Sequence, residues 1–218
     1  MPHAILLLLL TGLIFAAPAA AQRAGKSELY IAPVFTNSQS FAFEGGSSAQ
    51  TDTGTGFTLG FAHNLDAHYS LGGEVAWSSI GYRATLLPAL GTAGAPVRID
   101  GTIETSTVRF FGAYNLATGD LTPFLAFGAG WTYVDTGIPS GLPQNGCWYY
   151  PWWYGPVCGT YQPTHTTTRF SYNAALGLRK DFGNQFTLRG MVSQQWLDLG
   201  GYGQSAWTQW RIDFGTRF

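Results

Sequence analysis

The chain has 218 residues, enough for one domain or two small ones, and carries 11 Lys and Arg against 12 Asp and Glu for a net charge of −1. That balance gives no broad basic field for nucleic acid. Only 11% of residues are charged while 16% are aromatic and 29 are Gly. Soluble domains carry roughly 25% charge, so an ordinary water-facing surface is a poor fit.

Residues 1–21 read as a secretory signal. Ala4 to Phe15 form an apolar core, and Ala19-Ala-Ala21 precede Gln22 as a small-residue cleavage site. The opening Met1-Pro2-His3 lacks Lys or Arg, which leaves an uncleaved anchor as the second reading. Beyond it nothing approaches the ~20 apolar residues of a membrane helix. A mature chain that spans a membrane must therefore do so as a closed barrel, which leaves no unpaired backbone in lipid.

The rest alternates with period two, the signature of strands. In the first run Leu29, Ile31, Pro33 and Phe35 share one face, and Glu28, Tyr30, Ala32 and Val34 the other. Pro33 has no amide donor and is awkward in a paired strand. Residues 36–55 are polar and read as a loop. The second strand, Gly56 to Asn64, turns Phe57, Leu59 and Phe61 outward. After a tight turn at 64–68, the third puts Tyr69, Leu71, Val75 and Trp77 out and Ser70, Gly72, Glu74 and Ala76 in. Residues 84–101 read as a second loop. The fourth strand ends with Val108, Phe110 and Tyr114 out and Arg109 in. The fifth, Leu121 to Tyr133, has Leu121, Leu125, Phe127, Trp131 and Tyr133 on one side and Gly128 and Gly130 on the other.

A long loop is expected over 135–166. The sixth strand sets Phe170, Tyr172, Ala174, Leu176 and Leu178 against Ser171, Asn173, Gly177 and Arg179. The seventh sets Phe186, Leu188, Val192 and Trp196 against Thr187, Arg189, Ser193 and Gln195. The last has Trp210, Ile212, Phe214, Thr216 and Phe218 on one face and Arg211, Asp213, Gly215 and Arg217 on the other.

No Asp, Glu, Lys or Arg stands on any of these outward faces, as expected where an arginine facing lipid costs about 2–4 kcal/mol. Aromatics gather near strand ends (Tyr69, Trp77, Tyr114, Trp131, Tyr133, Trp196, Trp210, Phe218), as interfacial girdles require. Short turns alternate with long polar loops. The expected fold is an all-β, antiparallel up-and-down transmembrane barrel of eight strands, residues 22–218, with short periplasmic turns and long extracellular loops. Ten strands are possible if the loop over 135–166 hides a hairpin. A water-soluble lipocalin-like barrel is the alternative, and it would need the opposite placement of apolar and charged faces.

Three stretches resemble the small bacterial outer-membrane barrels of the OmpA and opacity-protein type. They are the aromatic terminal strand ending in Phe218, the segment Leu121-Thr-Pro-Phe-Leu-Ala-Phe-Gly-Ala-Gly-Trp131, and the strand opening Tyr69-Ser-Leu-Gly-Gly-Glu74. The resemblance implies that Trp210, Ile212, Phe214 and Phe218 form the signal read by the barrel-insertion machinery. It also implies outer-membrane lipid and lipopolysaccharide as surroundings.

Chemistry could sit in three places. The inward charges Glu74, Arg109, Arg179, Arg189, Arg211 and Asp213, with Glu28 as a further candidate, form either a plug, because buried charge must be paired, or a path for ions or small solutes. Cys147 and Cys158, two cysteines in an exported chain, point to a disulfide in the long loop. Between them lie Trp148, Tyr149, Tyr150, Trp152, Trp153 and Tyr154 with two prolines. These rings form either a binding surface for a glycan or host-surface ligand or a layer packed on the rim. His68 and Ser70 with Glu74 form a faint nucleophile-and-base pattern, resembling barrel-type lipid A deacylases. No cofactor or metal spacing stands out. The expectation is a monomeric, non-enzymatic surface barrel. A narrow channel is the second reading and a lipid A-modifying enzyme the third.

Overall fold

In the computed structural model the described residues are 23–42, 48–86, 95–150, 155–198 and 204–218. Among them are twelve strands: β1 Ser27–Thr36, β2 Gln39–Ala42, β3 Ser48–Thr51, β4 Gly54–Asn64, β5 Tyr69–Leu86, β6 Val97–Asn115, β7 Leu121–Pro139, β8 Gln144–Tyr150, β9 Gly155–Tyr161, β10 Thr164–Phe182, β11 Phe186–Asp198 and β12 Gln204–Arg217. Eight of them form a ring in the order β1-β4-β5-β6-β7-β10-β11-β12, and β12 pairs back onto β1. Every pairing in the ring is antiparallel. The closure ends on a reciprocal pair of hydrogen bonds, Ser27 N–H to Phe218 O and Phe218 N–H to Ser27 O, both 3.0 Å. A closed ring has no free edge, which is what lets strands stand in lipid.

The expected faces set this architecture. Leu29, Ile31, Phe57, Leu71, Phe110, Leu176, Ile212 and Phe214 are all exposed, Phe110 at 67%, while Glu28 and Asp213 are 0% exposed. Large apolar side chains outside and charges inside are the reverse of a lipocalin. Cross-strand aromatic pairs mark both rims. Phe57 stacks on Trp77 at 4.8 Å and Tyr172 on Trp196 at 5.3 Å at the long-loop end, and Tyr69 meets Tyr114 at 4.9 Å at the short-turn end. Ten residues separate Phe186 from Trp196, so at ~3.3 Å per residue and a tilt of about 40° the apolar band is about 25 Å tall.

The structure departs from the sequence reading in three loops. Residues 36–55 contain the β2–β3 hairpin, and β3 pairs with β5 from Ser48↔Thr85 to Thr51↔Tyr82. Strand β5 runs on past Trp77 to Leu86 beside β6, which begins at Val97, so residues 84–86 and 97–101 of the expected 84–101 loop are strand. The extension presents backbone groups that need partners, and the β2–β3 hairpin supplies them. The expected loop over 135–166 holds a hairpin, β8–β9, but it forms its own two-stranded sheet and does not join the ring. Pro33 does disturb its strand: the β1–β12 ladder passes from Ile31↔Phe214 to Val34↔Arg211 with no pair at Ala32 or Pro33. A residue without an amide donor interrupts the ladder.

Candidate functional site

The lumen is filled in tiers. Near the short turns, Glu28 is held by Arg179 and by Asn64 Nδ2 at 3.0 Å. Arg179 Nε also reaches Asp181 at 2.9 Å. Asp181 draws in Arg23 at 3.2 Å and Arg217 at 3.5 Å, and Arg23 donates to the Gly119 carbonyl at 2.5 Å.

One tier higher, Glu74 accepts from Arg109 Nη2 at 2.6 Å, Arg211 Nη1 at 2.8 Å and the Tyr30 hydroxyl at 2.7 Å. Asp213 bridges Arg211 Nε at 2.7 Å and Arg189 Nε at 3.1 Å. Arg189 lies 4.3 Å from the Tyr30 ring centroid, a cation–π distance, and 3.8 Å from Glu28, which links the tiers. Tyr30 can lie there because its neighbour across β4 is Gly60, where a Cβ would overlap the phenol ring.

Beside the charges, Ala113, Phe124, Ala126, Ala175 and Met191 form a small apolar cluster. Above them runs a hydroxyl belt: Ser78–Thr105 at 2.7 Å, Thr107–Thr132 at 2.9 Å and Thr132 to Ser171 at 2.8 Å. Val134, Leu197 and Trp207 with Ile103 cover the long-loop end. Two cavities of about 20 Å³ each interrupt this filling. Each has room for about one water-sized species.

The sequence-derived lumen set Glu74, Arg109, Arg179, Arg189, Arg211 and Asp213 is thus brought together, and Glu28 belongs with it. Sequence reasoning missed Arg23, Tyr30, Asp181 and Arg217 as members. Asp181 and Arg217 were legible, since each continues the inward parity of Arg179 and Asp213 by two or four residues. Arg23 precedes the first strand and carries no periodic signal.

His68 and Ser70 are not brought together. Ser70 is buried in the lumen, whereas His68 stands in the turn, stacks on Tyr114 at 5.6 Å and holds the Asn115 carbonyl with Nδ1 at 2.7 Å. The strand begins at Tyr69, so His68 stays in the turn and only Ser70 takes an inward strand position. Among the described residues no group of three metal-ligating side chains occurs.

Cys147 and Cys158 face each other across β8–β9 and form a disulfide. Trp148, Tyr149 and Tyr150 lie in β8, in register with Val157, Pro156 and Gly155. Trp152, Trp153 and Tyr154 fall outside the described residues. Of the terminal set, Trp210, Ile212, Phe214 and Phe218 all project outward, Phe218 at 66% exposure.

The model of the outer membrane protein beta-barrel domain matches residues 6–218. The chain belongs to that family. Its place as an outer-membrane β-barrel of the OmpA and opacity type follows, and with it the bacterial outer membrane as its location. Among solved barrels, the outer membrane protein OprG from Pseudomonas aeruginosa is similar at 11% identity, covering 91% of this chain and 98% of its own, with a TM-score of 0.54. Ail, the attachment invasion locus protein of Yersinia pestis, solved in complex with the heparin analogue sucrose octasulfate, is 14% identical over 89% of this chain and 99% of its own, with a TM-score of 0.49. Neisserial surface protein A is 10% identical over 89% and 96%, at 0.46. At these identities the likeness is one of fold. No curated protein matches the chain in sequence.

Proposed function

We propose that this outer-membrane β-barrel is a closed scaffold that works at its long-loop end, in membrane integrity and in surface recognition or adhesion. The observation that carries the reading is the filled lumen. Sixteen charged, phenolic and hydroxyl side chains pair with one another across it, and two cavities among them hold about 20 Å³ each. A path for hydrated ions needs a continuous opening, so the loops rather than the bore are left to act. The ring strands β5, β6, β7 and β10 run 18–19 residues, well beyond the ~9–11 a membrane strand needs. They run past the apolar band on the side of the 135–166 loop, where the Cys147–Cys158 disulfide closes β8–β9. The six aromatics and two prolines that the sequence sets between the cysteines are the residue types that suit contact with a glycan or a host-surface ligand.

The signal peptide ends near Ala21, both chain ends lie in the periplasm, and the barrel is a monomer in lipid and lipopolysaccharide. The outward row Trp210, Ile212, Phe214 and Phe218 is the segment offered to the insertion machinery. The lumen tiers serve as the plug, and no catalytic role is assigned.

The test replaces residues 140–162 with a Gly/Ser linker. Cells displaying either barrel are compared on a glycan array and on host-cell surfaces. The linker variant should insert normally and lose binding. Binding equal to that of the parent barrel would remove the recognition role.

A further inference from the structure

The described lumen carries unequal charge. Arg23, Arg109, Arg179, Arg189 and Arg217 are buried and Arg211 nearly so, against the four carboxylates Glu28, Glu74, Asp181 and Asp213. Guanidinium groups do not deprotonate in proteins, so this imbalance is not relieved by proton loss. Unpaired buried charge is costly and draws a counter-charge.

One of the two lumen cavities is suited to hold it. The cavity above Glu74 is lined by Arg109 and Arg211, by Thr58 and Ser193, and by the amides of Gln195 and Gln209. No carboxylate lines it. Arg109 commits Nε and Nη2 to Glu74. Its Nη1, like Thr58 Oγ1, has no protein hydrogen-bond partner among the described residues, and both residues are at least nine-tenths buried. The second cavity differs. Glu74 lines it, along with Phe111, Phe124 and Met191, so it is less electropositive and more apolar.

We propose that the cavity between Arg109 and Arg211 is a binding site for one small monovalent anion of halide size. Its lining offers the unpartnered Arg109 Nη1 and Thr58 Oγ1 as donors, and the net positive charge of the tiers selects an anion over a neutral water. About 20 Å³ admits one compact ion and excludes sulfate or an organic carboxylate. The ion would be enclosed when the barrel closes and would act as a structural counter-charge rather than a transported species. This stands independently of what the loops bind.

Bromide tests it. The full barrel is folded into detergent with sodium bromide, desalted, assayed for bromide, and crystallised for anomalous diffraction. About one bromide per chain is expected, with its peak between Arg109 and Arg211. The unfolding midpoint should rise with halide concentration and not with gluconate, because only an ion that binds the native state stabilises it.

Gln195→Glu places a carboxylate in the cavity without adding bulk. It should fold, hold no bromide and lose the halide dependence. Thr58→Val, which removes a donor without changing charge, should bind bromide more weakly. A washed wild-type barrel without bromide, a site occupied by density with no anomalous signal, or bromide retained at full occupancy by Gln195→Glu would each overturn the proposal.

Discussion

Replacing Glu74 with Ala is the most informative single change in the lumen. Its carboxylate accepts from two guanidiniums and a phenol, at 2.6 to 2.8 Å, and the side chain is 3% exposed. Removing it leaves Arg109 without its ion-pair partner and Arg211 with Asp213 alone. Breaking a buried pair costs about 3–5 kcal/mol, because the charges left behind stay desolvated. The Tyr30 hydroxyl also loses its acceptor, adding about 1 kcal/mol.

The expected loss is therefore about 4–6 kcal/mol. Glu74→Gln keeps an acceptor for Arg109 but no charge, and should fall between. The exposed Glu104→Ala serves as the control and should lie within about 0.5 kcal/mol of wild type. Urea titrations in detergent micelles, with folded and unfolded barrels separated by electrophoretic mobility, read all three. A Glu74→Ala barrel as stable as the Glu104→Ala control would refute the account of the lumen as a set of mutually required pairs.

Phe110→Arg puts a charge on the lipid face inside the apolar band, and should cost about 2–4 kcal/mol in bilayers. Reducing Cys147–Cys158 should leave the barrel's urea midpoint unchanged. It should speed proteolysis between 140 and 162, since a closed loop with a sequence separation of 11 is worth about 3 kcal/mol to the hairpin alone. In the turn before β5, the backbone amides of Tyr69 and His68 donate to Asp66 Oδ1 at 2.7 Å each, and hold its carboxyl below the ordinary aspartate range. A depressed folded-state pKa means that the turn's contribution is complete above the usual carboxylate value and is lost as pH falls through the lowered one. The NMR shifts of those two amides should titrate together, with a midpoint below that of a free aspartate, and Asp66→Asn should abolish the titration.

The strand faces were legible because lipid punishes a single misplaced charge. That pressure keeps Leu29, Phe57, Phe110, Leu176 and Phe214 in strict alternation with inward polar residues. The β2–β3 hairpin was not legible, because its strands are four residues each, too short for alternation to show, and β3 takes its strand form beside β5. The hairpin in 135–166 was foreseen only as an alternative, and it pairs with itself rather than adding strands to the ring. The lumen was half legible. Parity gives the inward side of Arg179 and Asp213 but not which carboxylate each arginine meets, since Glu28 and Arg179 are joined only by closure of the ring. Arg23 illustrates the limit: it enters the lumen from irregular chain, held by Asp181 and the Gly119 carbonyl.

The central claim is that the bore is shut and the loops act. Single-channel recording of the folded barrel in a planar bilayer, with insertion verified by its electrophoretic mobility, tests it most directly. A silent bilayer is expected. Stable, ion-selective conductance steps that change with Arg109→Gln or Arg189→Gln would contradict it and make the lumen charges a path.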